Sequence, residues 1–351
     1  MKIAVAMSGG IDSSVTAVML KDQGHDVIGI TARFLPSSEI NDVVYETAVN
    51  DAKKIADLYG FAHYEFNFSE VFRKQIIDYF CGEYLSGKTP NPCVICNRFI
   101  KFSELIKAAD DLGCEKIATG HYAVKKEGNG RIYLSMSPDH SKDQSYFLCM
   151  LTQEQLAKSI FPLGSMTKPD IRLFASKINL PLKDKADSQE ICFIPDNEYI
   201  PFIENYTGTK PQPGDIVNSS GKVLGKHNGI YRYTIGQRRG MGIAAPEPLY
   251  VTSIDPVKNQ ITAGPKDELL IRSLETKNCF HMKYEIEDEV KLFIKSRSTQ
   301  RPVEGTVRRI QDRFKVDFTE PQIGISPGQA AVFYDSENDL IGGGIIDKAY
   351  N

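Results

Sequence analysis

Apolar residues follow two rhythms along this chain, and the change from one to the other divides it. In the first half, short apolar runs alternate with segments whose apolar positions recur every three or four residues, so strands and helices take turns. Residues 2–7 read as a strand, Ser8, Gly9 and Gly10 as a turn, and Val15, Val18 and Met19 mark a helix that ends by Gly24. The same rhythm predicts strands over 26–31, 62–66 and 115–119. It predicts helices over 43–59, closed by Gly60, and over 71–85 and 99–112. Such alternation implies an α/β fold, a parallel sheet with helices on both faces. After about residue 205, Pro211, Pro213, Gly214, Gly221, Gly225 and Gly229 punctuate short strand-like runs. Residues 249–254 and 260–263 form a hairpin pattern, and from Leu270 more short strands follow, as in a small barrel. The expected organisation is an α/β catalytic domain over 1–204, a central β-rich module over 205–269 and a C-terminal β-barrel over 270–351. No internal repeat or low-complexity tract interrupts it.

The length of 351 residues agrees with several domains, each able to bury a core. There is no run of about 18 apolar residues and no charged-then-apolar leader, so the expectation is a cytoplasmic protein without a membrane partner. Seven cysteines, an odd number, argue for free, metal-bound or catalytic thiols over a disulfide framework. The net charge of -3 leaves a nucleic-acid partner open, because an acidic average can hide a basic face. Between Lys291 and Lys315 eight basic residues stand against two acidic ones.

Two groups of residues carry candidate chemistry. The first is Ala6-Met-Ser-Gly-Gly-Ile-Asp-Ser-Ser14, between the first strand and the first helix. It lacks the Gly-Lys-Ser/Thr ending of a Walker A loop and the spacing of a dinucleotide fingerprint. Its glycines let backbone amides turn inward, and the helix start adds amides and a favourable dipole for an anion. Ser8, Ser13 and Ser14 can donate to phosphate oxygens, and Asp12 is a candidate magnesium ligand. A capped glycine turn is the commoner meaning of such a segment; the strand before it and the helix after it favour phosphate binding. The segment resembles the PP-loop of ATP pyrophosphatases, which leave AMP on a substrate oxygen.

The second group is cysteine. Cys93 and Cys96 lie in Thr89-Pro-Asn-Pro-Cys-Val-Ile-Cys-Asn-Arg98, a proline-stiffened loop feeding a helix, and Cys192 in Asp187-Ser-Gln-Glu-Ile-Cys-Phe-Ile-Pro195. A thiol at a helix start is expected to have a lowered pKa. One C-x-x-C pair is half a zinc site, and no second pair exists. Cys81, Cys114, Cys149 and Cys279 sit in apolar or periodic contexts that predict inert, buried thiols.

Together with Lys142-Asp-Gln-Ser-Tyr-Phe-Leu148, Tyr233-Thr-Ile-Gly-Gln-Arg238 and Ser326-Pro-Gly-Gln-Ala-Ala-Val-Phe-Tyr334, these motifs, in this order, resemble the tRNA-specific 2-thiouridylase (MnmA) family over nearly the whole chain. The resemblance implies ATP- and magnesium-dependent 2-thiolation of the wobble uridine in the tRNAs for glutamate, glutamine and lysine. It also implies a sulfur donor such as a cysteine desulfurase or a relay protein. Carried over by position, Ala6, Met7, Ser8, Gly9, Gly10, Ile11, Asp12 and Ser13 hold ATP, with Ala32 and Gly120 near the adenosine. Asn91, Pro92 and Cys93 face the target base. Cys192 matches the sulfur carrier and Cys96 its partner nucleophile, while His121, Lys142, Asp143, Gln144, Arg297, Ser298 and Gln329 match tRNA-contacting positions. The basic stretch from Lys291 would then meet RNA phosphate. Many members carry an aspartate where this chain has Cys93, and a thiol does not replace a carboxylate as a proton shuttle. The substitution makes a second site conceivable, in which Cys93, Cys96 and Cys192 hold a 4Fe-4S cluster with one open iron. The rival functions are an amidating synthetase of the PP-loop type and a non-catalytic RNA-binding protein.

Overall fold

The structure, a computed structural model, describes residues 1–35, 42–183, 185, 191–194 and 197–351. In chain order the first part contains β1 (Lys2–Ala6), β2 (Asp26–Arg33), β3 (Ala62–Asn67), β4 (Lys116–Ala118), a hairpin of β5 (Ala123–Gly128) and β6 (Arg131–Met136), and β7 (Ser159–Ile160). All but the hairpin form one parallel sheet, in the order β3-β2-β1-β4-β7. Along β1 the side chains alternate between two cores. Ile3 and Val5 pack with Val15 and Val18 of helix α1 (Ile11–Asp22) on one face, and Ala4 packs on the other with Ile30, Phe72 and Ile100. Burial on both faces is why this central strand is an unbroken apolar run. The chain leaves β1 toward β2 on one side while β4 lies on the other, so the crevice beyond the carboxyl ends of β1 and β4 is a topological switch point.

The remaining helices are α2 (Asp42–Tyr59), α3 (Ser69–Phe72), α4 (Asp78–Leu85), α5 (Pro92–Cys96), α6 (Leu105–Asp111), α7 (Gln153–Lys158), α8 (Lys168–Lys177) and α9 (Tyr199–Thr207). Two expected helices contain π-helical segments that periodicity does not reveal: Arg73–Ile77 joins α3 to α4, and Asn97–Glu104 joins α5 to α6. Cys93 and Cys96 lie inside α5, where a feeding loop was expected. Proline fits the first helical position, and the Asn91 side chain accepts from the Val94 N–H at 3.4 Å, so the helix starts ahead of both thiols.

The second half is built on β-strands, with short 3-10 turns at Ile230–Arg232 and Lys266–Leu269. Strands β8 (Pro213–Val217), β9 (Val223–Asn228), β10 (Tyr250–Asp255) and β11 (Gln260–Gly264) form a sheet of order β10-β11-β8-β9 that contains the expected hairpin. Then β12 (Leu270–His281), β13 (Val290–Lys295), β14 (Val303–Ile310), β15 (Arg313–Ile323), β16 (Ala330–Tyr334) and β17 (Leu340–Tyr350) close an antiparallel barrel, which leaves no free edge. The barrel docks on the first part through the β5–β6 hairpin. Lys126 reaches Asp339 at 2.7 Å, and Lys283 bridges Asp335 and Asp339 at 2.7 and 2.8 Å.

Part of the basic run from Lys291 is paired with carboxylates. Arg308 pairs with Asp317, Arg313 with Asp347 at 2.7 Å, and Lys295 is buried beside Asp143. Asp317 lies just past the counted stretch, while Asp347 and Asp143 come from distant parts of the chain that a local charge count cannot see. Among the described residues, no helix is long and apolar enough to cross a membrane.

Candidate active site

The turn after β1 shapes a cavity of about 410 Å³ at the switch point. Gly9 has φ +66°, and a Cβ there would lie 2.4 Å from the Ala48 carbonyl oxygen, so only glycine lets the loop pack on α2. The Ser8 N–H donates to the Ser13 hydroxyl at 3.2 Å, and Ser13 donates to the Gly10 carbonyl at 3.2 Å. Gly10 caps α1 with no side-chain acceptor, which leaves the helix-start amides turned toward the cavity mouth. Ala6, Met7, Ser8, Asp12, Ser13, Ala32 and Gly120 line the cavity, whereas Gly9, Gly10 and Ile11 are not part of its lining. Gly120 has no room for a side chain either, because a Cβ would meet the Asp12 backbone at 2.9 Å. Ser14 departs from expectation. Its side chain is fully buried and its hydroxyl is spent on the Gly10 carbonyl at 2.9 Å, the usual back-bond of a helical serine.

Asp12 is also placed differently from a ready magnesium ligand. Its carboxylate is held by the Lys168 ammonium at 2.8 and 3.0 Å and accepts from the Tyr122 hydroxyl at 2.6 Å. Neither partner was anticipated. Lys168 stands at the start of α8, whose Thr167/Asp170 capping box was the available signal for that helix start. A second cation, Lys185, donates to the Gly9 carbonyl at 2.8 Å and pairs with Asp51 at 2.9 Å.

Cys192 lines the same cavity, together with His121, Gln144 and Lys101. Asp187, Ser188, Gln189, Glu190 and Pro195 of the Cys192 motif lie outside the described residues. Cys93 and Cys192 keep solvent-exposed surface although dense protein surrounds them, Cys96 is buried, and all seven cysteines are free thiols. The thiols of Cys93, Cys96 and Cys192 stand within electrostatic reach of one another, so a charge on one disfavours a charge on the next. The lowered pKa expected at a helix start is not found. Burial pushes the Cys96 thiol up to about 12 and that of Cys192, although open to the cavity, up to about 11; burial raises Cys93 as well, and in all three Lys101 acts in the opposite sense. Desolvation outweighs the helix dipole here. Cys81, Cys114 and Cys149 are buried, as their contexts predicted, and Cys279 is partly so.

A cluster held by Cys93, Cys96 and Cys192 was tested against this arrangement. Among the described residues, no three His, Cys, Asp or Glu side chains converge to hold a single metal ion.

His121 is half-buried, hydrogen-bonded through Nδ1 to Thr119 at 2.7 Å, and burial holds its pKa well below that of a free imidazole, so it is neutral. In Lys142-Asp-Gln, the Gln144 side chain accepts from the Tyr122 N–H at 3.0 Å at the cavity wall. Asp143, matched above to a tRNA contact, is only 1% exposed. It accepts from the Ser137 and Ser145 N–H groups and the Ser145 hydroxyl, at 3.1, 3.2 and 2.9 Å, and faces Lys295 at 3.6 Å. Arg297, Ser298 and Gln329 gather in a second cavity of about 580 Å³, whose wall also includes Thr89 and residues 234–237. There the Gln329 amide donates to the Thr89 carbonyl at 2.8 Å, fastening the barrel to the strap that leads into Asn91, Pro92 and Cys93.

Family comparison matches three consecutive models: a tRNA methyl transferase HUP domain over residues 1–196, a tRNA methyl transferase PRC-barrel domain over 200–265 and an aminomethyltransferase beta-barrel domain over 271–346. Full-length relatives are more specific. The tRNA-specific 2-thiouridylase MnmA of Geobacter metallireducens is 45% identical over 99% of this chain and 97% of its own length. A tRNA-specific 2-thiouridylase MnmA 1 of Caldanaerobacter subterraneus subsp. tengcongensis is 46% identical over 99% and 98%. This chain belongs to the MnmA family. Its place there accounts for a PP-loop cavity and separated cysteine motifs in one chain, and the MnmA relatives match this chain from end to end. Among solved structures, the U34-tRNA thiolase NcsA from Methanococcus maripaludis with its [4Fe-4S] cluster aligns at 19% identity and a TM-score of 0.36, covering 59% of this chain and 64% of that one. A 4-thiouridine synthetase in complex with RNA and ATP aligns at 16% identity and a TM-score of 0.33, covering 58% and 50%. Likenesses this slight carry no argument about chemistry.

Proposed function

We propose that this member of the MnmA family is an ATP-dependent tRNA 2-thiouridylase whose nucleotide and sulfur chemistry share the switch-point cavity. The observation that carries the reading is that Cys192 and the PP-loop residues Ser8, Asp12 and Ser13 line one cavity, with Cys96 and Cys93 in electrostatic reach of Cys192. ATP lies with its phosphates over the start of α1, bringing magnesium as their complex, while Lys168 orients Asp12. The 2-oxygen of uracil attacks the α-phosphorus and pyrophosphate leaves, which makes AMP a good leaving group at C2. A persulfide sulfur on Cys192 then forms the C2–S bond as the C2–O bond breaks. The Cys96 sulfur attacks Cys192, the S–S bond breaks, and the electron pair stays on the transferred sulfur, giving 2-thiouridine and a Cys96–Cys192 disulfide. The high thiol pKa values make deprotonation part of the barrier.

The wobble base is presented from a single-stranded anticodon loop, where flipping costs little. The second cavity, with Arg297, Ser298 and Gln329, is the proposed seat for the RNA beyond that loop, and the tRNAs for glutamate, glutamine and lysine are the proposed substrates. A desulfurase or relay protein is the proposed sulfur source. Mass spectrometry of tRNA nucleosides after incubation of the persulfide-loaded enzyme with ATP and unmodified tRNA tests the reading; 2-thiouridine should form and should vanish with Cys96→Ala and Cys192→Ala. Cys93 in place of the usual aspartate favours the cluster as a second reading. Iron and acid-labile sulfide analysis after anaerobic purification separates the two, since about four irons per chain, required for thiolation, would remove the persulfide route.

A further inference from the structure

Lys101 is the one cation of the switch-point cavity, among the described residues, that nothing else uses. The described lining contains a single carboxylate, Asp12, and Lys168 already holds it. Lys101 is half-buried and has no ion-pair or hydrogen-bond partner among the described residues. It stands five residues after Cys96 on the π-helical segment Asn97–Glu104, whose next residue, Phe102, leaves helical geometry at φ −110°, ψ 20°. Such widened turns are uncommon and recur at functional sites. The start of the segment is pinned. The Asn97 amide donates to the Phe147 carbonyl at 2.9 Å, and the Arg98 carbonyl accepts from Gln155 at 2.7 Å. A pinned, irregular turn that leaves a half-buried ammonium unpaired calls for an anion from elsewhere. Phosphate is served by the amides of the α1 start. Lys101 instead acts electrostatically on Cys93, Cys96, Cys192 and neutral His121.

We propose that Lys101 is a catalytic residue of the sulfur step, the counter-cation that holds negative charge on the transferred sulfur as it passes from Cys192 to C2 of the activated base. The proposal rests on the thiouridylase reading above. The ammonium keeps its proton throughout, and the persulfide proton goes to cavity water before the C2–S bond forms. A fixed cation beside a charge that develops in a half-enclosed site accelerates the step without affecting the preceding adenylation.

Single-turnover reactions with an unmodified tRNA transcript, ATP and a persulfide-loaded enzyme separate the two steps. For Lys101→Met and Lys101→Gln the pyrophosphate burst and the KM for ATP should stay within about twofold of the parent, while 2-thiouridine formation slows by about 100-fold or more. Lys101→Arg, which keeps the charge, should recover most of the rate, and it decides the question if the neutral variants melt early. Loss of the pyrophosphate burst in step with thiolation would assign Lys101 to phosphate, and undiminished thiolation would leave it without a role; either overturns the proposal. Absence of 2-thiouridine with the parent protein would instead sink the functional reading on which it rests.

Discussion

Replacing Asp143 tests whether this residue of the Lys142-Asp-Gln motif meets RNA or holds the molecule together. Its carboxylate is 1% exposed and faces the Lys295 ammonium, 6% exposed, at 3.6 Å, while Ser137 and Ser145 satisfy its remaining lone pairs. Burial lowers the Lys295 pKa and Asp143 opposes that effect. Asp143→Ala would strand an ammonium in the seam between catalytic part and barrel. Removing one partner of a buried pair costs about 3–5 kcal/mol, which at about 2 °C per kcal/mol for a large domain is a fall in melting temperature of about 6–10 °C. The double change Asp143→Ala with Lys295→Met removes the stranded charge and should recover most of that loss, and the cycle formed by the two single variants and the double one isolates the coupling. Scanning calorimetry on the full chain gives the melting values, and filter binding gives tRNA affinity. A variant that melts like the parent and yet loses tRNA affinity would refute the buried-anchor argument and return Asp143 to the RNA surface.

Gly9→Ala should abolish ATP-dependent pyrophosphate release, because its Cβ would sit 2.4 Å from the Ala48 carbonyl oxygen at a positive φ; release at the parent rate would contradict the loop geometry. Lys168→Met should lower pyrophosphate release at least about tenfold by freeing Asp12, without changing alkylation of Cys192. With a thiol near 11, Cys192 is about one part in a thousand thiolate at pH 8, so its alkylation by iodoacetamide should rise nearly tenfold per pH unit between 7 and 9; a plateau by pH 8 would refute the raised value. Burial depresses the imidazole pKa values of His63, His121, His227 and His281 below the 6.5 of a free imidazole. Below that pH the unfolded chain binds more protons than the folded one, so melting temperature should fall by a few degrees from pH 7.5 to 5.5; a flat profile would speak against it.

The sheet, its helices and the β second half were legible because each rests on local periodicity: Ile3 and Val5 face one core and Ala4 the other, as strand alternation requires. The PP-loop was legible for a similar reason, since Ser8 to Ser13 follow a strand and open a helix. What escaped depends on residues far apart in sequence. Lys168 reaches Asp12 across 156 positions, Asp347 pairs with Arg313, and Asp143 with Lys295 of the basic run. The π-helical segment that carries Lys101 breaks the three-and-four spacing by which helical faces are read, and desolvation of the thiols depends on packing that no motif records.

From Asp12 a line of contacts runs through the Tyr122 hydroxyl, the Tyr122 N–H to Gln144, and on from its neighbour Asp143 to Lys295 in β13. Nucleotide turn and barrel are therefore joined by adjacent residues of one short motif. Grafting a barrel from another family member onto this chain should succeed only when the lysine opposite Asp143 travels with it, which makes that single position a compatibility test for recombining these modules.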